Sequence, residues 1–169
     1  MNASLTLMSA SRIDRSVRRI AFEINEVLRG STDVIFYGVD ARGLNLAHRI
    51  SALLKKHTGC SIECELLPVK DGGDSPAASE AQYAFIIDDV IFSGSTALIA
   101  FQKVQKLTRS QDIHLAVLID RGHRKFPVEA RFVGMKIPTK LDEHVSVMLE
   151  GLDGASADSV DLEAGRWLL

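Results

Sequence analysis

Only two cysteines, Cys60 and Cys64, occur in the chain. Their spacing does not match a C-x₂-C zinc knuckle, and no second pair exists to complete tetrahedral coordination. On a strand they would share one face, with backbones too far apart for an easy disulfide. They read as reduced, part-buried thiols. Long apolar runs are missing as well, so nothing spans a bilayer and no membrane partner is indicated. The start, Met1 to Arg12, has no basic segment leading into a sustained apolar core, which points away from secretion and toward a cytoplasmic protein. Nor is there an excess of one charge: the formal net charge is −2, which gives no global drive toward nucleic acid, and any such binding needs a local basic face. Internal repeats, low-complexity tracts and linkers are absent. What remains is ordinary for a globular protein: 169 residues with 46% hydrophobic and 25% charged side chains, read as a single domain over 1–169, long enough to bury a core.

One stretch organises the rest. Tyr83 to Ile87 is an apolar, β-branched run of strand length, followed directly by the carboxylates Asp88 and Asp89. Then come Ser93-Gly94-Ser95-Thr96 and an amphipathic pattern through Leu98, Ile99, Phe101, Val104 and Leu107. A glycine and hydroxyls at a helix N-terminus suit a phosphate. Two acids where the strand empties suit sugar hydroxyls or hydrated Mg²⁺. Such a site fits a ligand that is both a sugar and a phosphate ester. No Gly-Lys-Ser/Thr is present, so a Walker loop is a poor match. Taken as a bare pattern, the stretch could also be an ordinary strand–helix turn.

A second unit of the same kind precedes it. Residues 11 to 28 have helical spacing (Ile13, Val17, Ile20, Ile24, Leu28), with Ser11 near the N-cap and Gly30 as the stop. Arg12, Arg15, Arg18 and Arg19 crowd its first turns, as a solvated face or an anion-binding one. Val34 to Val39 reads as a strand, Gly38 to Gly43 as a Gly-rich loop, and Leu44 to Lys56 as a helix. Arg42 offers a planar fork for phosphate oxygens, or caps a neighbouring element. Cys60 to Val69, Ile113 to Ile119, Arg131 to Ile137 and Val145 to Leu149 read as further strands. Residues 70–82 form a surface loop, and 151–169 an acidic tail whose apolar end, Arg166-Trp167-Leu168-Leu169, packs back or meets a second subunit. Strands alternating with helices give an α/β fold with a mainly parallel sheet, which binds ligands at the carboxyl ends of its strands.

The Tyr83 to Leu98 stretch resembles the phosphoribosyl-pyrophosphate (PRPP) loop of type I phosphoribosyltransferases, and the Arg42-Gly43 loop resembles their pyrophosphate loop. Leu115 to Arg124 with its Asp120-Arg121-Gly122-His123, then Phe126-Pro127, Phe132-Val133-Gly134 and Ile137-Pro138-Thr139, resemble the PyrR family, which pairs uracil phosphoribosyltransferase activity with attenuation of pyrimidine operons through leader RNA. The resemblance runs from about residue 12 to Leu152. It implies a type I phosphoribosyltransferase fold, a mainly parallel sheet flanked by helices with a small hood. It implies PRPP, uracil and UMP as ligands, Mg²⁺ held mainly through PRPP, RNA as a further partner, and a homodimer or higher homo-oligomer.

By the same resemblance Asp88, Asp89 and Arg42 are catalytic. Ser93, Gly94, Ser95, Thr96, Ala41 and Gly43 bind PRPP. Arg121, Gly122, His123, Phe126 and Val128 bind the base. Arg15, Arg18, Arg19, Arg124, Lys136 and Lys140 are the candidates for RNA.

The departures from the family pattern fall in the catalytic and RNA-binding segments. Leu67 to Gly73 stands where the family has a Tyr-Arg-Asp-Asp-like lead into a longer closing loop. Asp40 replaces a basic residue and would set a repulsive charge before the leaving group. Ser93 replaces a Thr, Ser95 an Arg, Phe22 a His and Arg18 a Thr. Three readings follow: a uracil phosphoribosyltransferase that turns over, a nucleotide-sensing RNA-binding regulator with weak or no catalysis, and a PRPP- or nucleotide-binding protein with another partner.

Overall fold

The unbroken apolar runs become strands covered on both faces, as parallel sheets require. In the computed structural model, which describes residues 4–70, 72–110, 112–152 and 154–163, five parallel strands lie in the order β3-β2-β4-β5-β6. These are β2 (Val34–Val39), β3 (Glu63–Leu67), β4 (Tyr83–Ile91), β5 (Asp112–Asp120) and β6 (Phe132–Lys136). Phe36, Phe85, Ile87, Leu118 and Phe132 face a core built with helices α1 (Ala10–Leu28) and α2 (Asp40–Thr58). Ile35, Tyr37, Ala84, Ile86, Leu115 and Val117 face a second core under α3 (Ser95–Leu107).

The chain leaves β2 for the edge strand β3 and returns on the other side of β2 as β4. The α2 and α3 crossovers therefore depart in opposite directions and open a crevice at the β2/β4 carboxyl ends, where ligands bind in such sheets. The element that starts this crevice differs from the sequence expectation. Residues 40–43 are not a loop; they form the first turn of α2, which begins at Asp40 instead of Leu44. Glycine at two positions permits this. A Cβ on Gly43 would lie 2.3 Å from the Ile87 carbonyl oxygen, and one on Gly38 2.2 Å from Leu44 Cα, so the helix start presses directly on β2 and β4.

The expected ends of α1 also shift. Its N-cap is Ser9, not Ser11, and its C-cap is Arg29 in the left-handed conformation (φ 49°), with Gly30 following. β3 is shorter than the Cys60 to Val69 run. Cys60 and Cys64 are both free and half-buried, and burial pushes the Cys64 thiol up. Residues 72–82 are irregular apart from a bridge between Ser79 and Thr108. Among the described residues no helix is long and apolar enough to cross a membrane.

Two strands were not anticipated. β1 (Ser4–Ser9) and β8 (Ser159–Glu163) join β7 (His144–Met148) in an antiparallel sheet of order β1-β8-β7, the small hood. Ser-Val-Asp-Leu-Glu has only two apolar side chains, and β1 carries an irregularity between Thr6 and Met8 that breaks its alternation. β1 pairs with β8 alone, and β8 lies between β1 and β7. The Arg166-Trp167-Leu168-Leu169 segment lies outside the described residues.

Within what was read as an acidic tail, Asp158 ties the hood to the main domain. Arg49 of α2 donates to its two carboxylate oxygens at 2.5 and 3.0 Å, and the Glu150 N–H donates at 2.7 Å. These donors hold the Asp158 carboxyl below its ordinary value. A depressed pKa contributes stability above the unfolded value that is lost as pH falls through the folded one. Asp158→Ala is therefore expected to cost about 2 kcal/mol at neutral pH, with the difference from wild type shrinking below about pH 4. Urea unfolding across pH checks this; a neutral substitution would show that the hood does not depend on the pair.

Candidate active site

β4 does not end at Ile87 as its apolar run suggests. Pairing with β5 carries it through Asp88 and Asp89 to Ile91, which sits beside Asp120. Both carboxylates are consequently held within a central strand, 4% and 8% exposed. Asp88 accepts the Asp89 N–H at 2.8 Å, and Asp89 accepts the Val90 N–H at 2.8 Å. Burial first, then the neighbouring Asp89, pushes the Asp88 carboxyl well above its usual range, while Lys70 pulls it back. Past the strand, Gly94 turns left-handed (φ 84°) as the N-cap of α3. There the Ser93 and Ser95 hydroxyls lie 3.0 Å apart at the helix N-terminus, an environment favourable to anions.

A cleft of about 320 Å³ gathers these groups. Arg42, from the first turn of α2, sets its Nε 4.0 Å from Asp89 Oδ2. Asp88, Asp89, Ser93, Gly94, Ser95 and Thr96 all line the cleft. Ala41 and Gly43 do not, and Gly43 is instead the contact that lets α2 approach Ile87. Asp40 is likewise off the cleft: its Oδ1 accepts the Val69 N–H at 2.8 Å. The expected repulsive charge before the leaving group is thus turned toward backbone.

The 121–131 connection joins β5 to β6 without a helix. Arg121, 6% exposed, lies with its guanidinium 4.2 Å over the Phe92 ring and donates to Thr139 Oγ1 at 3.0 Å and to the Glu143 carbonyl. Burial draws its pKa down. Gly122 and His123 are both left-handed (φ 73° and 58°), and the His123 ring hydrogen-bonds the Thr139 carbonyl. Of the residues expected to hold the base, only Arg121 lines the cleft; Phe126 is 39% exposed, and Val128 belongs to the core under α3.

Residues 7–150 match the family described as the phosphoribosyl transferase domain. The chain belongs to the phosphoribosyltransferase family. Within that family it is 37% identical to the bifunctional protein PyrR of Staphylococcus epidermidis, covering 89% of this chain and 95% of that one. It is 34% identical to the PyrR of Thermus thermophilus, covering 96% and 97%. Among solved structures it is similar to a Trypanosoma cruzi hypoxanthine phosphoribosyltransferase (TM-score 0.77, 15% identity, 96% and 91% covered), which shows the shared fold.

Several of the arginines expected at RNA make contacts within this phosphoribosyltransferase. Arg124 is internal: it pairs with Asp120 at 2.7 Å and donates to the carbonyls of Phe92, Gly122 and Val128. It braces the 121–131 connection against the end of β4. Arg19 pairs with Glu23 and donates to the Val133 and Gly134 carbonyls at 2.9 and 2.7 Å, clamping α1 to β6. Arg18 pairs with Asp14 on the surface. Arg15, Lys136 and Lys140 are exposed.

Sequence reasoning missed two parts of the cleft: Lys70, and His144 to Val147 of the hood. A signal for Lys70 existed, since it follows an apolar run as Asp40 and Asp88 do. The strand at Val145 was legible from its own residues, but its place on the cleft was not, because the sheet that carries it is completed by distant segments, β1 and β8.

The buried acid pair has a measurable consequence. A folded pKa raised above the unfolded one contributes stability at low pH that is lost as pH rises through the folded value. Asp88→Asn is therefore expected to raise the stability of the ligand-free protein at neutral pH by about 1 kcal/mol or more, with no gain near pH 3. Thermal unfolding of both proteins across pH decides it, and a variant less stable than wild type at neutral pH would refute the assignment.

Proposed function

We propose that this chain transfers the phosphoribosyl group of PRPP to uracil, giving UMP and pyrophosphate. One observation carries the reading: a buried acid pair, a hydroxyl-and-glycine helix start and Arg42 share one cleft at the point where strand order reverses. A sugar bearing phosphate at one end and pyrophosphate at the other matches that sequence of groups. Uracil as the acceptor is supported by the similarity to PyrR proteins; the hypoxanthine phosphoribosyltransferase neighbour supports the fold alone.

In the reaction the bond from ribose C1 to the pyrophosphate oxygen breaks, a bond from C1 to uracil N1 forms, and the N1 proton is released. Asp88 and Asp89 accept from the ribose hydroxyls, and their negative charge favours the positive charge that develops on the ribose. Ser93, Ser95 and Thr96 with the α3 N-terminus take the 5-phosphate. Arg42 takes pyrophosphate oxygens. Arg121 closes the base side.

Hard carboxylate oxygens of like charge fit Mg²⁺. Among the described residues no group of three or more His, Cys, Asp or Glu side chains is gathered to hold a metal. Mg²⁺ would be held mainly through PRPP oxygens, with Asp88 and Asp89 as the hard donors beside it, and when bound it would neutralise pyrophosphate charge. The regulatory partner, a leader RNA, is left to the exposed cations Arg15, Lys136 and Lys140. Arg18 adds its charge beside Asp14.

The test is pyrophosphate release dependent on PRPP, uracil and Mg²⁺, with UMP binding by calorimetry in the same preparation. Turnover supports the transferase. UMP binding without turnover assigns the chain to nucleotide sensing, and loss of both overturns the site. The double variant Asp88→Asn, Asp89→Asn is expected to lose about 100-fold or more in UMP affinity.

A further inference from the structure

We infer that Lys70 holds the pyrophosphate end of the substrate, and that Asp40 is the positioning residue that fixes Lys70 at the cleft. The inference rests on the phosphoribosyl-transfer reading above and extends it to two residues outside the acid pair.

The resemblance puts a basic residue at position 40, and this chain has an acid there. A carboxylate aimed at a pyrophosphate would be costly, but Asp40 is not aimed that way. It opens α2 in the left-handed conformation (φ 50°), which an Asp tolerates better than most residues. Its Oδ1 accepts the N–H groups of Val69 and Lys70 at 2.8 and 3.4 Å, and its Oδ2 is buried with no hydrogen-bond partner among the described residues. The side chain is folded inward onto the exit of β3.

That exit is held from the opposite side as well. Lys103 of α3 donates its Nζ to the Pro68 carbonyl at 2.6 Å, and Leu67 and Pro68 are buried. Residues 67–70 are thereby fixed between α2 and α3, and Lys70 emerges at a defined place on the cleft wall with Arg42, Asp88 and Asp89. Its charge is felt at Asp88, whose upward shift it opposes. The cation absent from position 40 is supplied from position 70, and the acid that took its place does the holding. An ammonium and a guanidinium beside the acid pair make a site for a doubly charged diphosphate, whereas UMP, with one phosphate expected at Ser93 to Thr96, does not need Lys70.

The experiment measures magnesium pyrophosphate and UMP binding by calorimetry on the full chain. Lys70→Ala is expected to weaken magnesium pyrophosphate about tenfold or more while UMP affinity stays within about twofold. Lys70→Arg should keep most of the affinity. Asp40→Ala should also weaken magnesium pyrophosphate, although it removes a negative charge, and Asp40→Asn, which keeps the acceptor oxygen, should not. Unchanged pyrophosphate binding in Lys70→Ala overturns the inference. Tighter or unchanged binding in Asp40→Ala overturns the positioning role and restores simple repulsion. Loss of UMP binding along with pyrophosphate in Asp40→Ala also overturns it, since α2 would then have lost its start. A wild type that binds neither ligand overturns the site reading itself, and this inference with it.

Discussion

Two adjacent carboxylates inside a central parallel strand are the constraint around which the rest of the molecule is arranged. Asp88 and Asp89 lie where Val, Ile or Leu would be expected, between β2 and β5, in a sheet buried on both faces. Burying even one ionised carboxylate without a partner is expensive, and two side by side repel each other. The free protein meets this by keeping Asp88 inclined to hold a proton and by supplying main-chain N–H donors from Asp89 and Val90. The residual strain favours any ligand that brings hydroxyl donors, a cation or developing positive charge. A buried carboxyl perturbed like Asp88, in a cleft, is a functional signal with a physical cause.

The topology then decides what can reach the pair. Because β3 and β4 flank β2 on opposite sides, α2 and α3 start from neighbouring strand ends and diverge. Gly38 and Gly43 allow the α2 start to sit against Ile87, immediately before Asp88. Arg42 is carried with it. On the other side, Gly94 turns the chain into α3 over a short distance, so the helix N-terminus faces the same crevice. The main-chain N–H groups of Lys125 and Phe126 donate to the Ser93 carbonyl at 2.9 and 3.2 Å, which locks the segment before α3 to the 121–131 connection. The acid-pair strand, the start of α3 and the 121–131 connection are thus mechanically continuous.

Most of this was legible where the information is local. Tyr83 to Ile87 reads as a strand from its β-branched residues, α1 from the spacing of Ile13, Val17, Ile20 and Ile24, and the acid pair with Ser93 to Thr96 reads as a phosphate-and-sugar site. What was not legible depends on contacts between distant segments. β8 is a strand because β1 and β7 flank it, not because Ser-Val-Asp-Leu-Glu favours one. Arg19 and Arg124 looked like surface cations, yet carbonyls of Val133, Gly134, Phe92 and Val128 claim them. Carbonyl groups with spare acceptor capacity leave no mark in a sequence. Asp40 failed for a related reason: its sign was readable, but the direction of its side chain depends on a left-handed backbone and on the exit of β3 beside it.

The short segment over 70–82 gains meaning from these contacts. A long loop can swing over a reacting pyrophosphate and expel water, but it must be ordered each time, at a cost in conformational entropy. Here the segment is tied down at its two ends, with Val69 and Lys70 bound to Asp40, Pro68 to Lys103, and Ser79 to the Leu107 carbonyl. A fixed wall avoids that ordering cost and keeps its cation in place before substrate arrives. The hood strand His144 to Val147 and Arg121, held to Thr139, also line the cleft. The hood is itself anchored through Arg49 and Asp158. The hood strands are therefore tied through one ion pair to α2, the same helix that presents Arg42 and Asp40.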